Sequence, residues 1–394
     1  MLSARQLFFE YLAQTSGAPV SIEIEKACGC WLYSPDGKKY LDLIAGVSVS
    51  NTGHNNPAII SAIKDQLDHY MHIMVYGEFI QKPQVVLAEK LCSLLPGNLD
   101  SVYYTNSGSE AVEGAIKLAR RYTGRNEIIS FVDSYHGSTT GALSITGNEK
   151  LKRAFRPLMP SVKITGFNDP ESVEKISHET ACVFVEPIQS EAGIILPEGD
   201  FLDKLRGKCN EAGSLLIFDE IQTGFGRTGS LFAMDCFKVR PDVVLFAKSF
   251  GGGMPLGAFV SSREIMSCLS VNPVFGHITT FGGHPVSCSA GLASLEFIIE
   301  NHLAENAENA GKQFRDMLVH PQIRQIRGKG LLMAIELENT AAARKVTSQC
   351  LDNGLVTESF LFNENSIRIS PPLIINRNEI DIACDILINA LDGI

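Results

Sequence analysis

The sequence predicts an α/β fold: a large domain on a mostly parallel sheet covered by helices, with a smaller α+β domain beside it. Three observations predict it. Short, almost wholly apolar runs recur: "SVYYT", "EIISFV", "VKIT", "ACVFVE", "SLLIFDE" and "DVVLFAK". Strands buried on both faces of a sheet read this way. Stretches with helical spacing separate several of them, as crossover helices between parallel strands require. The chain has 394 residues, enough for one large core and a smaller one.

Taken in order, "MLSARQLFFEYLAQ" reads as an amphipathic helix, its apolar run broken by charge, rather than as a signal peptide. "SIEIEKA" and "CWLYSPDGKKYLDL" read as short strands, with "PDGKK" a turn. "PAIISAIKDQLDHYM" and "PQVVLAEKLCSLL" have helical spacing, and the six apolar strands follow. After residue 284 one long helical stretch, "VSCSAGLASLEFIIENHLAENAENAGKQFRDML", leads away from the sheet. "KGLLMAIELE", "GLVTES", "SIRIS" and a terminal helix "RNEIDIACDILINAL" complete the smaller domain. The expected division is a large domain at 57–290 and a small domain formed by 1–56 and 291–394.

Composition narrows the partners. Formal net charge is -10, which argues against a broad nucleic-acid or acidic-membrane surface. Small anions can still bind at helix N-termini. Ten cysteines are scattered along the chain, unlike a disulfide framework. Cys28 and Cys30 have one residue between them, the wrong spacing for common zinc sites, so reduced thiols and no metal are expected. No apolar segment is long enough to span a bilayer, and cytoplasm is the default location.

In open parallel sheets, ligands bind beyond the carboxyl ends of the strands. The residues there form an unusual set. "SVYYT" is followed by Asn106, Ser107, Gly108 and Ser109 at the start of a helix. This turn suits a phosphate; it equally suits a capping box of Ser107 with Glu110. "EIISFV" leads to Tyr135 and His136, "ACVFV" to Glu186, Gln189 and Glu191, and "SLLIF" to Asp219, Glu220 and Gln222. "DVVLFA" ends in Lys248, an expensive residue to place at a buried strand end. "GFGRTG", Gly224 to Gly229, fits the dinucleotide fingerprint, but no helix opens from it and the next strand ends in Lys248 rather than an acid.

A lysine in a dry pocket can form a Schiff base with an aldehyde. Pyridoxal phosphate needs such a lysine, an anion cradle and a carboxylate for its ring nitrogen. Lys248, the Ser107–Ser109 turn and Asp219 supply one of each, with Tyr135 as an aromatic face.

At these residues the sequence resembles the class III pyridoxal-phosphate aminotransferases of fold type I, among them the ornithine, acetylornithine and 4-aminobutyrate enzymes. The segments are "YLDLIAGVSVSNTGHNNP", "TNSGSEAVEGAIKLAR", "YHGSTTGALSITG", "VEPIQSEAG", "LLIFDEIQTGFGRTG", "DVVLFAKSFGGGMPLGA" and "TTFGGHP". The resemblance implies a ping-pong transfer between an amino donor and a keto acid such as 2-oxoglutarate. It implies that Lys248 bonds the cofactor and moves the substrate proton, and that Asp219 pairs with the ring nitrogen. Gly108 and Ser109, with Ser107, hold the phosphate; Tyr135 stacks on the ring with His136 beside it; Glu186 and Gln222 complete the cofactor site. Thr280 of "TTFGGHP" reaches the phosphate of a neighbouring subunit, which implies a homodimer.

Arg368 of "SIRISPP" matches the family's carboxylate-binding arginine, and Glu191 the acid that covers it while an ω-amine is bound. The departure is Ser138 in "YHGST", where many relatives carry a carboxylate-binding arginine; a hydroxyl cannot replace a bidentate cation. Tyr76, in "HYMHIMVYGEF", is expected near the substrate entrance. Decarboxylase, racemase and aminomutase chemistry are alternatives on the same fold; a nicotinamide-dependent dehydrogenase rests on "GFGRTG" alone.

Overall fold

The computed structural model describes residues 2–394. Near the N-terminus the first helix spans Ala4–Tyr11, capped by Ser3 and Gln6. Met1, which the sequence reading places in that helix, lies outside the described residues. Strands β1 (Lys26–Cys28), β2 (Trp31–Tyr33) and β3 (Lys39–Asp42) follow. Only the end of "SIEIEKA" is strand.

The large sheet contains β4 (Ser101–Thr105), β5 (Glu127–Phe131), β6 (Val162–Thr165), β7 (Thr180–Val185), β8 (Leu215–Asp219), β9 (Val243–Phe246) and β10 (Gly257–Ser261). Their order is β4-β10-β9-β8-β7-β5-β6. The five strands from β9 to β6 run parallel, and β10 is antiparallel to both β9 and β4. Strand β10 is absent from the sequence reading, because "GAFVS" is short and starts from a glycine. It lies between the first strand and the parallel set, so the sheet is mixed at that edge.

Successive residues of the parallel strands feed opposite cores. Val183, Val185, Leu216 and Phe218 join one apolar cluster, while Cys182, Phe184, Leu215 and Ile217 join the other. Burying each large side chain stabilises by about 1.5–3 kcal/mol, so the carboxyl-end loops hang from a stiff frame. The helix Gly108–Thr123 lies close on this sheet; a Cβ at Gly114 would come within 2.2 Å of the Phe259 ring.

The long helical stretch after residue 284 is two helices, Pro285–Glu300 and Leu303–Met317. His302 separates them with a left-handed φ of 52°. The first runs unbroken across residue 290 and packs on the helices Pro57–His69 and Lys82–Leu94.

The last strands are β11 (Gln325–Lys329), β12 (Leu332–Glu336), β13 (Leu355–Val356) and β14 (Ser366–Ile369). Strand β13 pairs parallel with β3, which ties the C-terminal part to the N-terminal segment. Strands β11, β12 and β14 form an antiparallel sheet in which Arg368 stands opposite Ala334.

Candidate active site

The carboxyl ends of β7, β8 and β9 open onto a cavity of about 420 Å³. Its lining includes Ser107, Gly108, Ser109, Tyr135, His136, Glu186, Glu191, Asp219, Gln222 and Lys248. These residues come from five separate chain segments that meet at one sheet edge.

Lys248 is not the last residue of its strand. Strand β9 ends at Phe246; Ala247 is extended, and Lys248 turns into a left-handed φ of 53° at the head of a short 3₁₀ segment. That conformation is costly for a residue with a Cβ and recurs at functional sites. Its Nζ donates to Oε1 of Gln222 at 2.7 Å. Burial lowers the Lys248 ammonium to about 8, against the opposing pull of Glu191. The neutral amine is therefore within reach near neutral pH.

Asp219 ends β8. Its Oδ2 lies 2.7 Å from Nδ1 of His136, and Oδ1 accepts from the Ile221 amide at 3.1 Å. Glu186 is buried and accepts from the amides of Tyr135 at 2.9 Å and Ser190 at 3.0 Å. Burial and the nearby Asp219 carboxylate push Glu186 up to about 7, in spite of His136. On the opposite side, Nη2 of Arg368 donates to both carboxylate oxygens of Glu191, at 2.8 and 2.9 Å. The Arg368 guanidinium is buried over the Phe360 ring, 4.4 Å from its centroid. Its Nε and Nη1 have no hydrogen-bond partner among the described residues. Burial alone would raise Glu191, but Arg368 and Lys248 outweigh it and hold its carboxyl below the usual range.

The family profile for "Aminotransferase class-III" matches residues 12–391. The chain belongs to the class III aminotransferases. Acetylornithine aminotransferase from Archaeoglobus fulgidus is 39% identical over 369 residues, 93% of this chain and 95% of that protein. Putrescine aminotransferase from Pectobacterium atrosepticum is 36% identical over 392 residues, 94% of this chain and 83% of that one. Ornithine aminotransferase from Toxoplasma gondii, with pyridoxal phosphate partly occupying its active site, superposes with a TM-score of 0.91. That structure is 30% identical and covers 98% of this chain and 92% of its own. The protein is a pyridoxal-phosphate-dependent aminotransferase.

The cavity of this class III enzyme fits the cofactor's chemistry. The first amides of the helix Gly108–Thr123 have no intrahelical acceptor and stand ready for an anion. Ser107 caps that helix by accepting from the Glu110 amide at 3.2 Å, while the Glu110 carboxylate accepts from the Asn106 amide at 2.7 Å instead of closing a capping box. The glycines beside it are closely fitted. A Cβ at Gly108 would meet Ile221 at 2.8 Å, and one at Gly137, with φ 128°, would fall 2.1 Å from Ser109 Oγ. Nε2 of His136 and Nε2 of Gln222 are buried and lack partners among the described residues.

Four expected residues do not line the cavity: Arg368, which stands behind the lining residue Glu191, and Ser138, Tyr76 and Thr280. Ser138 is exposed, its hydroxyl 3.3 Å from Tyr135 Oη and its amide donating to Ser109 Oγ. Tyr76 lies in a second cavity of about 640 Å³ with Phe275, their ring centroids 6.3 Å apart. Thr280 is exposed, although the adjacent Thr279 hydroxyl accepts from Asn106 Nδ2 at 3.2 Å. Sequence reasoning missed Glu358 and Phe360 at Arg368. Glu358 Oε1 lies 3.4 Å from Arg368 Nε, and its carbonyl accepts the Arg368 amide at 2.8 Å. The signal was an acid and an aromatic on the segment that folds back beside "SIRIS". Val49 and Met254 to Leu256, also in the lining, gave no signal beyond being apolar.

No helix among the described residues is long and apolar enough to cross a membrane.

Proposed function

We propose that this aminotransferase takes its amino group from a terminal-amine donor and passes it to a 2-oxo acid whose carboxylate is received by Arg368. One observation carries the reading. Arg368 is buried beside the cavity, hydrogen-bonded to Glu191 through a single nitrogen, with Glu358 3.4 Å from Nε and two guanidinium nitrogens that make no hydrogen bond among the described residues. A buried cation so incompletely satisfied is costly unless a ligand completes it. Two parallel hydrogen bonds from arginine match a carboxylate.

When bound, pyridoxal phosphate supplies a Schiff-base carbon and an electron sink for the bond that ionises. On this reading Lys248 would hold the cofactor, and its Nζ would move the proton at the substrate carbon. Asp219, oriented by His136, would pair with the ring nitrogen. The Ser107–Ser109 turn would take the phosphate, with Tyr135, Gln222 and Glu186 completing the surround. Glu191 covers Arg368 while an amine lacking a nearby carboxylate reacts, and releases it for the acid. The donors named in the relatives, acetylornithine, putrescine and ornithine, all carry a terminal amine and support this class. With Ser138 at the expected arginine position, Lys248 is the one lysine or arginine in the cavity lining among the described residues, and Arg368 stands behind Glu191. A donor without a distal carboxylate suits that wall better than one with it.

Thr280 and Tyr76, which do not line the Lys248 cavity in the single chain, belong in this reading to a site completed across a homodimer. The division into domains at 57–290 and at 1–56 with 291–394, and a cytoplasmic location, are parts of the same proposal.

The test is the half-reaction. The visible band of the holoenzyme is followed after adding putrescine, N-acetylornithine, ornithine or L-glutamate, and the product is then re-oxidised with pyruvate or 2-oxoglutarate. Rapid loss of the band with a terminal diamine supports the donor class. A protein that responds to L-glutamate but to none of the terminal amines overturns it.

A further inference from the structure

The fingerprint-like "GFGRTG" does not line the cavity, yet it holds an unusual residue. Arg227 is wholly buried and no carboxylate pairs with it among the described residues. Its partners are neutral oxygens on three segments. Nη1 donates to the Leu331 carbonyl at 3.0 Å and the Pro371 carbonyl at 2.6 Å, and Nη2 donates to the side-chain oxygen of Asn51. The Arg227 carbonyl in turn accepts the Leu331 amide at 3.0 Å. Burying a cation against neutral acceptors alone is expensive, so the arrangement calls for a reason.

Each of the three segments leads to a wall of the active site. Leu331 precedes β12, which pairs with β14 so that Ala334 faces Arg368. Pro371 lies three residues beyond Arg368. Asn51 lies two residues after Val49, which lines the cavity. Asn51 also donates from Nδ2 to the Phe225 carbonyl at 2.9 Å and accepts the Leu373 amide at 2.8 Å. The turn between Ala45 and Ser48, just before Val49, holds four residues at φ between 50° and 63°, three of them not glycine. Such a turn keeps its shape only where its surroundings hold it. The loop bearing Arg227 is fitted closely to its site: Gly226 and Gly229 have φ of 88° and 89°, and a Cβ on Gly330 would lie 2.6 Å from the Gly229 nitrogen.

We propose that Arg227 is a positioning residue for carboxylate recognition, fixing the segments around Arg368 and Val49 relative to the Lys248 side of the cavity. The fixed fork of its guanidinium reaches three segments at once, which the single ammonium of lysine cannot do. A loop that also follows Asp219 and Gln222 in the chain thereby sets the height of Arg368 above them. The inference rests on the reading that Arg368 receives the acid.

The test compares two probes on the holoenzyme. One is the better amino acid of L-alanine and L-glutamate, which needs Arg368. The other is hydroxylamine, which attacks the Schiff base at Lys248 with no carboxylate to recognise. For Arg227→Lys, the amino acid's KM should rise about 10- to 100-fold, the scale of a small misplacement of a binding group. Its kcat and the hydroxylamine rate should each stay within about threefold. Asn51→Ala, which removes one tie only, should show the same split at smaller size, and it carries the test alone if Arg227→Lys does not fold. An equal fall with both probes, or no rise in KM, overturns the inference. Arg368→Gln is the control. If it leaves the amino acid's KM unchanged, the Arg368 reading has failed; if it raises KM while Arg227→Lys does not, only the Arg227 inference has failed.

Discussion

The two sides of the cavity solve opposite problems with the same residue types. On the sheet side, every acid is fully engaged. Asp219 holds His136 and the Ile221 amide, and Glu186 holds two amides. On the other side, Arg368 is hydrogen-bonded through one nitrogen to Glu191 and ion-paired with Glu358 at 3.4 Å, and its Nε and Nη1 make no hydrogen bond among the described residues. Satisfied groups stay where they are, because moving them forfeits bonds that water cannot replace in a buried site. An unsatisfied group gains by exchanging its partner. On the proposed reading, the sheet side would hold the cofactor still and the Arg368 side would change hands between ligands.

The largest way to break this contrast is Lys248→Ala. If Lys248 is both anchor and proton carrier, as proposed, its loss should lower turnover by roughly 10⁴-fold. Purified variant protein should also lose the visible Schiff-base band. Retained turnover with the band intact would mean that Lys248 does neither job. Asp219→Asn should come next, at roughly 10²- to 10³-fold in kcat, the usual scale for one positioned electrostatic group. It should leave the KM of the oxo acid nearly unchanged, because Arg368 is untouched. A variant that loses acid affinity instead would show that the two sides are not separable.

How much of this was legible in the sequence follows from the same contrast. The sheet side could be read because a buried parallel strand is apolar, so Asp219 and Glu186 stand out where the run stops. The left-handed turn at Lys248 could not, since nothing in "LFAKSF" marks a positive φ short of the glycines that follow. Strand β10 escaped because its first residue is glycine and its run is brief. The surroundings of Arg368 were hidden for a different reason. Glu358 and Phe360 reach it only because the chain folds back on itself over ten residues, and Glu191 arrives from far along the chain. Arg227 looked like part of a phosphate loop by spacing alone. Its side chain instead turns inward, which spacing cannot reveal.

Glu191→Gln sharpens the comparison from the Arg368 side. A neutral amide competes for the guanidinium less well than a carboxylate, whose charge-assisted bonds are about twice as strong. The KM for the oxo acid should therefore fall, by roughly tenfold if about 1.4 kcal/mol of competition is removed. The terminal-amine half-reaction should gain nothing, so the enzyme's preference tilts toward acids. Steady-state kinetics with both substrates varied will show it. An unchanged KM would make the pair a fixed strut and remove the basis for exchange at Arg368.

The smallest effect links the two sides through charge. Lys248 is lowered to about 8 by burial, and Glu191 opposes that shift by favouring the ammonium, while Arg368 reinforces it. Above the midpoint the amine is neutral and able to attack an aldehyde; below it the ammonium is not. Capture of pyridoxal phosphate by the apoenzyme should therefore quicken as pH rises through about 8 and level off above. In Glu191→Gln the carboxylate that favours the ammonium is gone and Arg368 is less neutralised, so both changes act in one direction. The midpoint should move down, and capture at pH 7 should be faster by roughly 2- to 5-fold, since each tenfold corresponds to one pKa unit. Absorbance-monitored reconstitution across pH 6 to 10 gives the midpoint directly. A rise instead of a fall would show that Glu191 acts on Lys248 less through its charge than by keeping water away from the amine, and the two sides would then be coupled by packing.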